Sequence, residues 1–99
     1  MIALDRYRQK TVAVLGLGRS GVAAARALAA GGARVLAWDD DPARRRAGEV
    51  RALTLADLGG VDFADVAALV PSPGVPLTHP APHPVVARAR KAGCEVLGD

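Results

Sequence analysis

The sequence predicts an α/β fold in which a doubly wound parallel sheet of about five strands carries helices on both faces, within a single domain. Three observations support this prediction. Short apolar runs alternate with stretches that favour helix, a glycine-rich turn follows the first apolar run, and 99 residues are enough for only one domain. Hydrophobic residues make up 51% of the chain but aromatic residues only 3%, so we expect a core of Ala, Val and Leu.

The first half of the chain contains two predicted strands separated by a helix. Residues 1–10 are polar and form a leading segment, and the domain is expected to cover residues 11–99. Thr11 to Leu15 is a continuous apolar run, typical of a strand that is buried on both faces. The alanine-rich stretch from Val22 to Ala30 favours a helix, which two glycines then end. Arg34 to Trp38 is the second predicted strand.

The second half continues the alternation with shorter elements. Pro42 is well placed to begin a short helix with Asp41 as its N-cap, and Arg44 to Arg46 are expected on the solvated face of that helix. The remaining predicted elements are a third strand over Val50–Leu53, a brief helix or turn over Leu55–Gly60, a fourth strand over Val66–Val70, a helix over Pro84–Ala92 and a last strand over Cys94–Leu97.

The glycine-rich turn runs from Gly16 to Gly21 and matches G-x-G-x-x-G between a strand and a helix, as in Rossmann-like folds. Gly16 permits the tight turn, Gly18 leaves room for a phosphate against the backbone, and Gly21 lets the helix pack closely on the sheet. Exposed N–H groups and the helix dipole favour a diphosphate here, although a tight turn without a ligand has the same pattern. Ser20 either caps the helix or binds phosphate, and Arg19 is either solvated or paired with phosphate.

Two further segments follow strands at the same edge of the predicted sheet. Asp39 ends the second strand and is expected to accept hydrogen bonds from a ribose or a base. A rigid turn is expected after the fourth strand, at Ser72, Pro73 and Gly74. Its backbone can lie flat against a ligand ring, and the alternative is a stiff loop without a ligand. Because ligands of parallel sheets bind at the carboxyl ends of the strands, this convergence predicts a binding site.

Other features of the sequence exclude several classes of function. The net charge of +3 is spread along the chain without an aromatic platform, so we expect no nucleic-acid partner. No apolar run is long enough for membrane insertion.

The single cysteine, Cys94, excludes an intrachain disulfide and is expected to be a small buried residue. His79 and His83 have no partners at metal-ligand spacing and are expected to be turn or capping residues. The sequence contains no ATP-binding phosphate loop and no catalytic set.

Four segments together resemble the N-terminal domain of the Mur ligases: VAVLGLGRSGVAAARAL, VLAWDDDP, LVPSPGVPLTHP and VLGD. Within that family the chain is most similar to the cytoplasmic ligases that add D-glutamate to UDP-N-acetylmuramoyl-L-alanine in peptidoglycan synthesis. The resemblance implies that this domain holds the UDP part of the substrate. It also implies that ATP and Mg²⁺ bind to a central domain outside this chain, where an acyl phosphate forms. The chain alone is therefore expected to bind no cofactor or metal and to be non-catalytic.

The resemblance also implies which residues contact the ligand. Gly18, Arg19 and Ser20 would meet the diphosphate, Asp39 would lie near the uracil or ribose, and Ser72 to Gly74 would flank the uracil. Asp40 belongs to the expected set as well, but some relatives have Thr-Arg where this chain has Asp40-Asp41, which leaves the roles of both open. The alternatives are an NAD-binding module of a dehydrogenase or of a nucleotide-sensing regulatory domain, and a domain for protein interactions without a ligand.

Overall fold

A computed structural model describes residues 6–47, 50, 52–78 and 80–97 of the chain. It contains one parallel five-stranded sheet with helices packed against it, which confirms the predicted fold class. The strands are β1 (Thr11–Leu15), β2 (Arg34–Trp38), β3 (Thr54–Leu55), β4 (Ala68–Pro71) and β5 (Glu95–Val96), and the helices are α1 (Arg19–Ala30), α2 (Pro42–Arg45) and α3 (Pro84–Lys91).

The strand order is β3-β2-β1-β4-β5, so β1 lies at the centre of the sheet. Its residue Val12 stands opposite Val35 of β2 on one side and Ala68 of β4 on the other. The chain moves outward in one direction from β1 to β3 and then crosses to β4 on the opposite side of β1. This reversal creates a crevice at the carboxyl ends of β1 and β4, where ligands of such sheets bind.

The core has a layer on each face of the sheet. Because alternate side chains of a strand point to opposite faces, Val12 and Val14 of β1 pack beneath α1 with Leu28, whereas Leu15 packs on the other side with Val86 of α3. Cys94 is buried in this second layer, as predicted. The core therefore depends on small aliphatic residues, in agreement with the composition.

The predicted third strand is wrong in position. Val50 accepts a hydrogen bond from the Leu53 N–H, so this segment turns instead of extending, and residue 51 lies outside the described residues. Val50 is buried against Leu17 and Val22, which means that its apolar character serves a core contact. The strand that pairs with β2 is formed by the next two residues, Thr54 and Leu55.

Several predicted boundaries shift by one to three residues. Helix α1 begins at Arg19 instead of Val22, because the glycine-rich turn leads directly into the helix. Strand β4 starts two residues later than predicted and extends to Pro71, β5 contains only two residues, and a 3₁₀ turn at Phe63–Asp65 was not predicted. The segment after Leu55 is a turn in which Asp57 accepts a hydrogen bond from the Gly59 N–H. Within the described ranges, no helix is long and apolar enough to cross a membrane.

Candidate functional site

Three loops meet at the carboxyl edge of the sheet and enclose a groove. Its larger part has a volume of about 430 Å³ and its smaller part about 220 Å³, and the two parts share four lining residues. The residues predicted to contact the ligand all line this groove, together with others that were not predicted, whereas Gly21 of the glycine-rich turn does not line it. The larger part is lined by Gly16, Gly18, Arg19, Ser20, Asp39, Arg44, Ser72, Pro73, Gly74 and Val75. The smaller part is lined by Leu15, Gly16, Asp39, Asp40, Gly74, Val75, Pro76 and His83.

The glycine-rich loop forms the floor of the larger part. Gly16 has a φ of +101°, a left-handed backbone conformation that residues other than glycine rarely adopt. Its N–H donates to the Trp38 carbonyl over 2.7 Å, which anchors the loop to the end of β2. A Cβ on Gly21 would lie only 1.7 Å from the Gly16 carbonyl oxygen. The helix can therefore approach the turn this closely only because residue 21 has no side chain.

The N-terminus of α1 opens into the larger part of the groove. Gly18 is the N-cap, and no side chain of the described residues caps the helix. Ser20 lies within the first helical turn and is exposed, so its predicted alternative as a capping residue is wrong. Arg19 is exposed beside it. The N–H groups of the first turn are left for water or a ligand, and they favour an anion.

Asp39 supports the glycine-rich loop with its carboxylate. One oxygen accepts a hydrogen bond from the Leu17 N–H at 2.7 Å, and the other accepts from the Asp41 N–H at 2.8 Å. Both bonds are charge-assisted, so they hold the loop and the end of β2 together. Asp41 in turn accepts from the Ala43 N–H at 2.9 Å, which confirms its prediction as the N-cap of α2.

The turn after β4 is locked to the glycine-rich loop. The Ser72 N–H donates to the Leu15 carbonyl at 2.8 Å, and the Ser72 hydroxyl donates to the Gly16 carbonyl at 3.1 Å. The Val75 N–H donates to the Ser72 carbonyl at 2.9 Å and closes the turn. A Cβ on Gly74 would meet no atom within 4 Å, which shows that the backbone there borders open space. One wall of the groove is therefore rigid and sterically open.

Of the three arginines predicted on a solvated face, Arg44 and Arg46 are exposed as predicted and Arg45 is not. Arg45 stacks on Trp38, with its guanidinium carbon 4.3 Å from the ring centroid, and donates to the Asp39 carbonyl at 2.7 Å. The prediction that Arg45 lies on a solvated face was wrong, because its flat guanidinium gains a cation–π contact on the Trp38 ring. Arg44 is exposed but lines the groove, and its Nη1 lies 2.6 Å from where a Gly18 Cβ would be. The start of α2 directly after β2 was the signal that could have placed Arg44 in the groove.

His83 lies at the far end of the smaller part of the groove. Its Nδ1 accepts a hydrogen bond from the Val85 N–H at 3.0 Å, so the prediction that it is a capping residue is confirmed. Its Nε2 lies 2.6 Å from Oδ2 of Asp40, which joins α3 to the loop after β2. His79 lies outside the described residues, as do the last two residues of the VLGD segment.

A second polar cluster lies away from this groove. The Tyr7 hydroxyl donates to Glu95 at 2.7 Å, and Arg6 forms an exposed ion pair with the same carboxylate at 3.3 Å. The hydrogen bond from Tyr7 lowers the pKa of Glu95, whereas burial raises the pKa values of Tyr7 and Cys94. Tyr7 is 4% exposed and belongs to the core layer beneath α1, a contribution that the sequence analysis missed. The cluster fastens the first described residues to β5.

Comparison with known families decides what kind of domain this is. Residues 10–98 match the model of the Mur ligase MurD-like N-terminal domain. The chain belongs to this family. The membership confirms the resemblance drawn from the four sequence segments, and it covers the three loops that form the groove.

Three relatives that share one name support this assignment over the whole chain. The UDP-N-acetylmuramoylalanine--D-glutamate ligases of Phenylobacterium zucineum and Caulobacter sp. strain K31 are each 56% identical to it over 99 residues, and that of Brucella abortus strain 2308 is 48% identical. The alignments cover 100% of this chain but only 21% of each relative. The MurD-like N-terminal domain described here thus spans about a fifth of the length of the ligases it matches.

Solved structures show the same fold in proteins of other families. Shikimate dehydrogenase from Aquifex aeolicus matches with a TM-score of 0.65 and 18% identity, covering 95% of this chain and 44% of its own. Shikimate 5-dehydrogenase from Thermus thermophilus, solved with NADP(H) and shikimate, matches with a TM-score of 0.61 and 23% identity, covering 86% and 41% respectively. At these identities the likeness concerns the Rossmann-like fold alone.

Proposed function

We propose that this MurD-like domain holds the UDP part of UDP-N-acetylmuramoyl-L-alanine within a ligase that adds D-glutamate. The observation that carries the proposal is the convergence of the open N-terminus of α1, the Ser72–Gly74 turn and the Asp39–Asp40 segment on one groove. The two parts of the groove suit the two parts of a nucleoside diphosphate. The charges that line each part indicate that the larger part is the phosphate end and the smaller part is the base end.

The larger part of the groove suits the diphosphate. Gly18 and the first turn of α1 offer N–H groups to an anion, and the positive end of the helix dipole lies at the same point. Arg19 and Arg44 both line this part and add positive charge. The Ser20 hydroxyl is available to donate to a phosphate oxygen, since it does not cap the helix. This division assigns Gly18, Arg19 and Ser20 to the diphosphate, as the resemblance implied.

The smaller part of the groove suits the uracil. Gly74 and Val75 form one side of it, and the Gly74 backbone borders open space against which a flat ring can stack. Asp39 and Asp40 form another side and provide acceptors. Asp39 lines both parts of the groove with its oxygens bound to backbone N–H groups, whereas Asp40 lines only the smaller part. A carboxylate would repel a phosphate, so the more acidic smaller part suits the nucleoside. Ser72 and Pro73 hold the turn that carries this stacking surface.

The complete ligase would supply the remaining chemistry from its other domains in the cytoplasm. There ATP and Mg²⁺ would convert the substrate carboxylate to an acyl phosphate, which the amine of D-glutamate then attacks. The domain described here contributes binding and orientation, and we propose that it has no catalytic activity alone. The likeness to two shikimate dehydrogenases, one of them solved with NADP(H), does not favour the dinucleotide alternative, because it is a likeness of fold.

Amide chemical shifts test this placement directly. Titration of the ¹⁵N-labelled chain with UDP is expected to shift the amides of residues 18–21, 39–40 and 72–75, with little change in the C-terminal half of α3. A titration with inorganic diphosphate should shift residues 18–21 and leave residues 74 and 75 nearly unchanged. Shifts confined to other surfaces, or none at millimolar UDP, would contradict the proposed function.

A further inference from the structure

A cluster of cations lies at the amino edge of the sheet, opposite the edge that carries the groove. Arg8 and Lys10 belong to the turn that leads into β1, Arg34 is the first residue of β2, and all three residues are exposed. The turn and the strand are joined, because the Arg34 N–H donates to the Lys10 carbonyl at 2.8 Å and the Arg34 guanidinium donates to the Gln9 carbonyl at 3.4 Å. We call these three side chains the amino-edge patch.

The positive charge of the amino-edge patch has no acidic partner in the described part of the chain. Glu95 contacts the same turn, but its carboxylate is already paired with Arg6 at 3.3 Å. Among the described residues, no hydrogen bond or ion pair holds the side chain of Arg8 or Lys10, and the contact of Arg34 is with a neutral carbonyl. Three cations are therefore presented to solvent together.

The turn that carries the patch is fixed by its backbone. Gln9 has a φ of +63° and donates its N–H to the Gly32 carbonyl at 2.9 Å, and the Lys10 N–H donates to the Tyr7 carbonyl at 2.9 Å. The aromatic ring of the turn, Tyr7, is 4% exposed and packs in the core. No ring of this turn is thus available to stack on a nucleic-acid base, whereas its charges are available to phosphate groups.

The two edges of the sheet differ in how their charges are mixed. At the carboxyl edge the acids Asp39–Asp41 are followed directly by the arginines 44–46, so charges of both signs lie together. The amino-edge patch contains cations alone. The edges are separated by the length of β2, roughly 13 Å from Arg34 to Trp38. A broad anionic surface would therefore attract the amino edge and leave the groove on the far side of the domain.

We propose that the amino-edge patch docks this domain on the anionic phosphate headgroups of a membrane surface, with the groove facing away from the lipid. The docking is peripheral and electrostatic, and it does not depend on the proposed function of the groove. Each Arg or Lys near an anionic bilayer increases binding about 5-fold, so three cations together contribute roughly 100-fold. Because the cations are exposed, salt screens this attraction.

Co-sedimentation of the 99-residue chain with lipid vesicles measures this binding. The vesicles would consist of phosphatidylcholine alone or with about one third phosphatidylglycerol, at about 0.1 M and about 1 M NaCl, where the screening length falls from about 10 Å to about 3 Å. At the lower salt concentration we expect the mixed vesicles to bind the chain roughly 100-fold more tightly than the neutral vesicles. At the higher salt concentration this difference should disappear.

Lys10→Gln locates the interaction on the chain. It removes one cation of the patch and should weaken binding to the mixed vesicles about 5-fold, whereas Arg8→Gln combined with Lys10→Gln should weaken it roughly 25-fold. Arg46→Gln is the matched control, because it removes the same charge from an exposed residue at the end of α2. The control should bind the vesicles as the wild type does, and circular dichroism checks that all the variants are folded.

Trp38 reports the orientation of the bound domain. It is the single tryptophan of the chain and ends β2 at the edge remote from the patch. Binding to mixed vesicles that contain brominated lipids should leave its fluorescence unquenched, because bromine quenches tryptophan only at short range. Quenching of Trp38 on binding would place the carboxyl edge against the lipid and overturn the proposed orientation.

The remaining outcomes decide between the membrane surface and other partners. Equal losses in Lys10→Gln and Arg46→Gln would show that net charge alone drives binding, and would refute the amino-edge patch. A chain that does not bind the mixed vesicles, or that binds duplex DNA or polyglutamate more tightly at the same salt concentration, would overturn the membrane as partner. None of these results changes the expected titration of the groove with UDP, so the two proposals fail separately.

Discussion

The close packing of Gly21 against the glycine-rich loop leads to a quantitative prediction for Gly21→Ala. A Cβ at this position would lie 1.7 Å from the Gly16 carbonyl oxygen, and real Cβ contacts are essentially never shorter than 3.0 Å. The atom that it meets belongs to the backbone, so no side-chain rotation can relieve the overlap. The loop must move away from α1, although Asp39 and Ser72 hold it in place.

The magnitude follows from two opposing effects. Alanine in place of glycine within a helix stabilises by about 0.5–1 kcal/mol, whereas overpacking a rigid contact costs roughly 1–3 kcal/mol and occasionally more. Because the overlap is severe, we take the upper end of the cost and expect a net loss of about 2 kcal/mol. For a domain of this size that corresponds to a melting temperature lower by about 8–16 °C.

Thermal unfolding followed by far-UV circular dichroism measures this loss. Gly74→Ala is the matched control, since its Cβ would meet no atom within 4 Å, and its stability should stay within about 0.5 kcal/mol of the wild type. UDP binding by folded Gly21→Ala should also weaken, because the displaced loop carries the proposed phosphate site. A Gly21→Ala chain that melts at or above the wild-type temperature would refute the packing argument.

Three further predictions follow from the same structure. Gly18→Val should abolish UDP binding, because the new side chain would occupy the space proposed for a phosphate. It should leave the circular dichroism spectrum intact, because a Cβ at this position meets only the end of the Arg44 side chain. Unchanged affinity in the folded variant would rule out a phosphate at Gly18. The hydrogen bond from the Tyr7 hydroxyl lowers the pKa of Glu95 in the folded chain. This bond therefore stabilises the fold at pH values above the pKa that Glu95 has in the unfolded chain, and the stabilisation is lost as the pH falls through the lower pKa of the folded chain. The gap in melting temperature between the wild type and Tyr7→Phe should thus be widest near neutral pH and narrow below about pH 4.5; a gap that stays constant down to pH 3 would contradict this coupling. The chain alone, incubated with ATP, Mg²⁺, D-glutamate and the muramoyl substrate, should release no more phosphate than a denatured control, and any release above that level would show that the domain is catalytic.

The parts of the fold that the sequence predicted correctly depend on local patterns. The apolar run at Thr11–Leu15 and the glycines after it are short-range signals. They place β1 correctly and predict that a helix follows, although α1 begins three residues before the predicted Val22. The third strand failed because one buried valine has the same signature in a strand as in a turn that packs on the core. Val50 contacts Leu17 and Val22 across the chain, and nothing local distinguishes the two cases.

The site was predicted in outline, whereas its internal connections were not. The convergence of three loops follows from strand order alone, so the residues at the carboxyl edge were foreseeable. The contacts of Arg45 with Trp38 and of His83 with Asp40 depend on how the loops fold over that edge. The second of these pairs is 43 residues apart in the chain, and no pattern in the sequence links them. The expectation that Asp39 faces the ligand could not include the two backbone N–H groups that its carboxylate binds.

The central claim is that the groove at the carboxyl edge binds a uridine nucleotide, and parallel calorimetric titrations with UDP and NAD⁺ at matched salt test it most directly. Both ligands offer a diphosphate to the N-terminus of α1, so they differ chiefly at the base. The smaller part of the groove, about 220 Å³ and bordered by Asp40 and His83, favours the smaller uracil ring with its N–H donor. UDP should bind more tightly by roughly 5- to 150-fold, the equivalent of about 1–3 kcal/mol. Binding of NAD⁺ as tight as that of UDP, or tighter, would contradict the claim and favour a dinucleotide-binding domain.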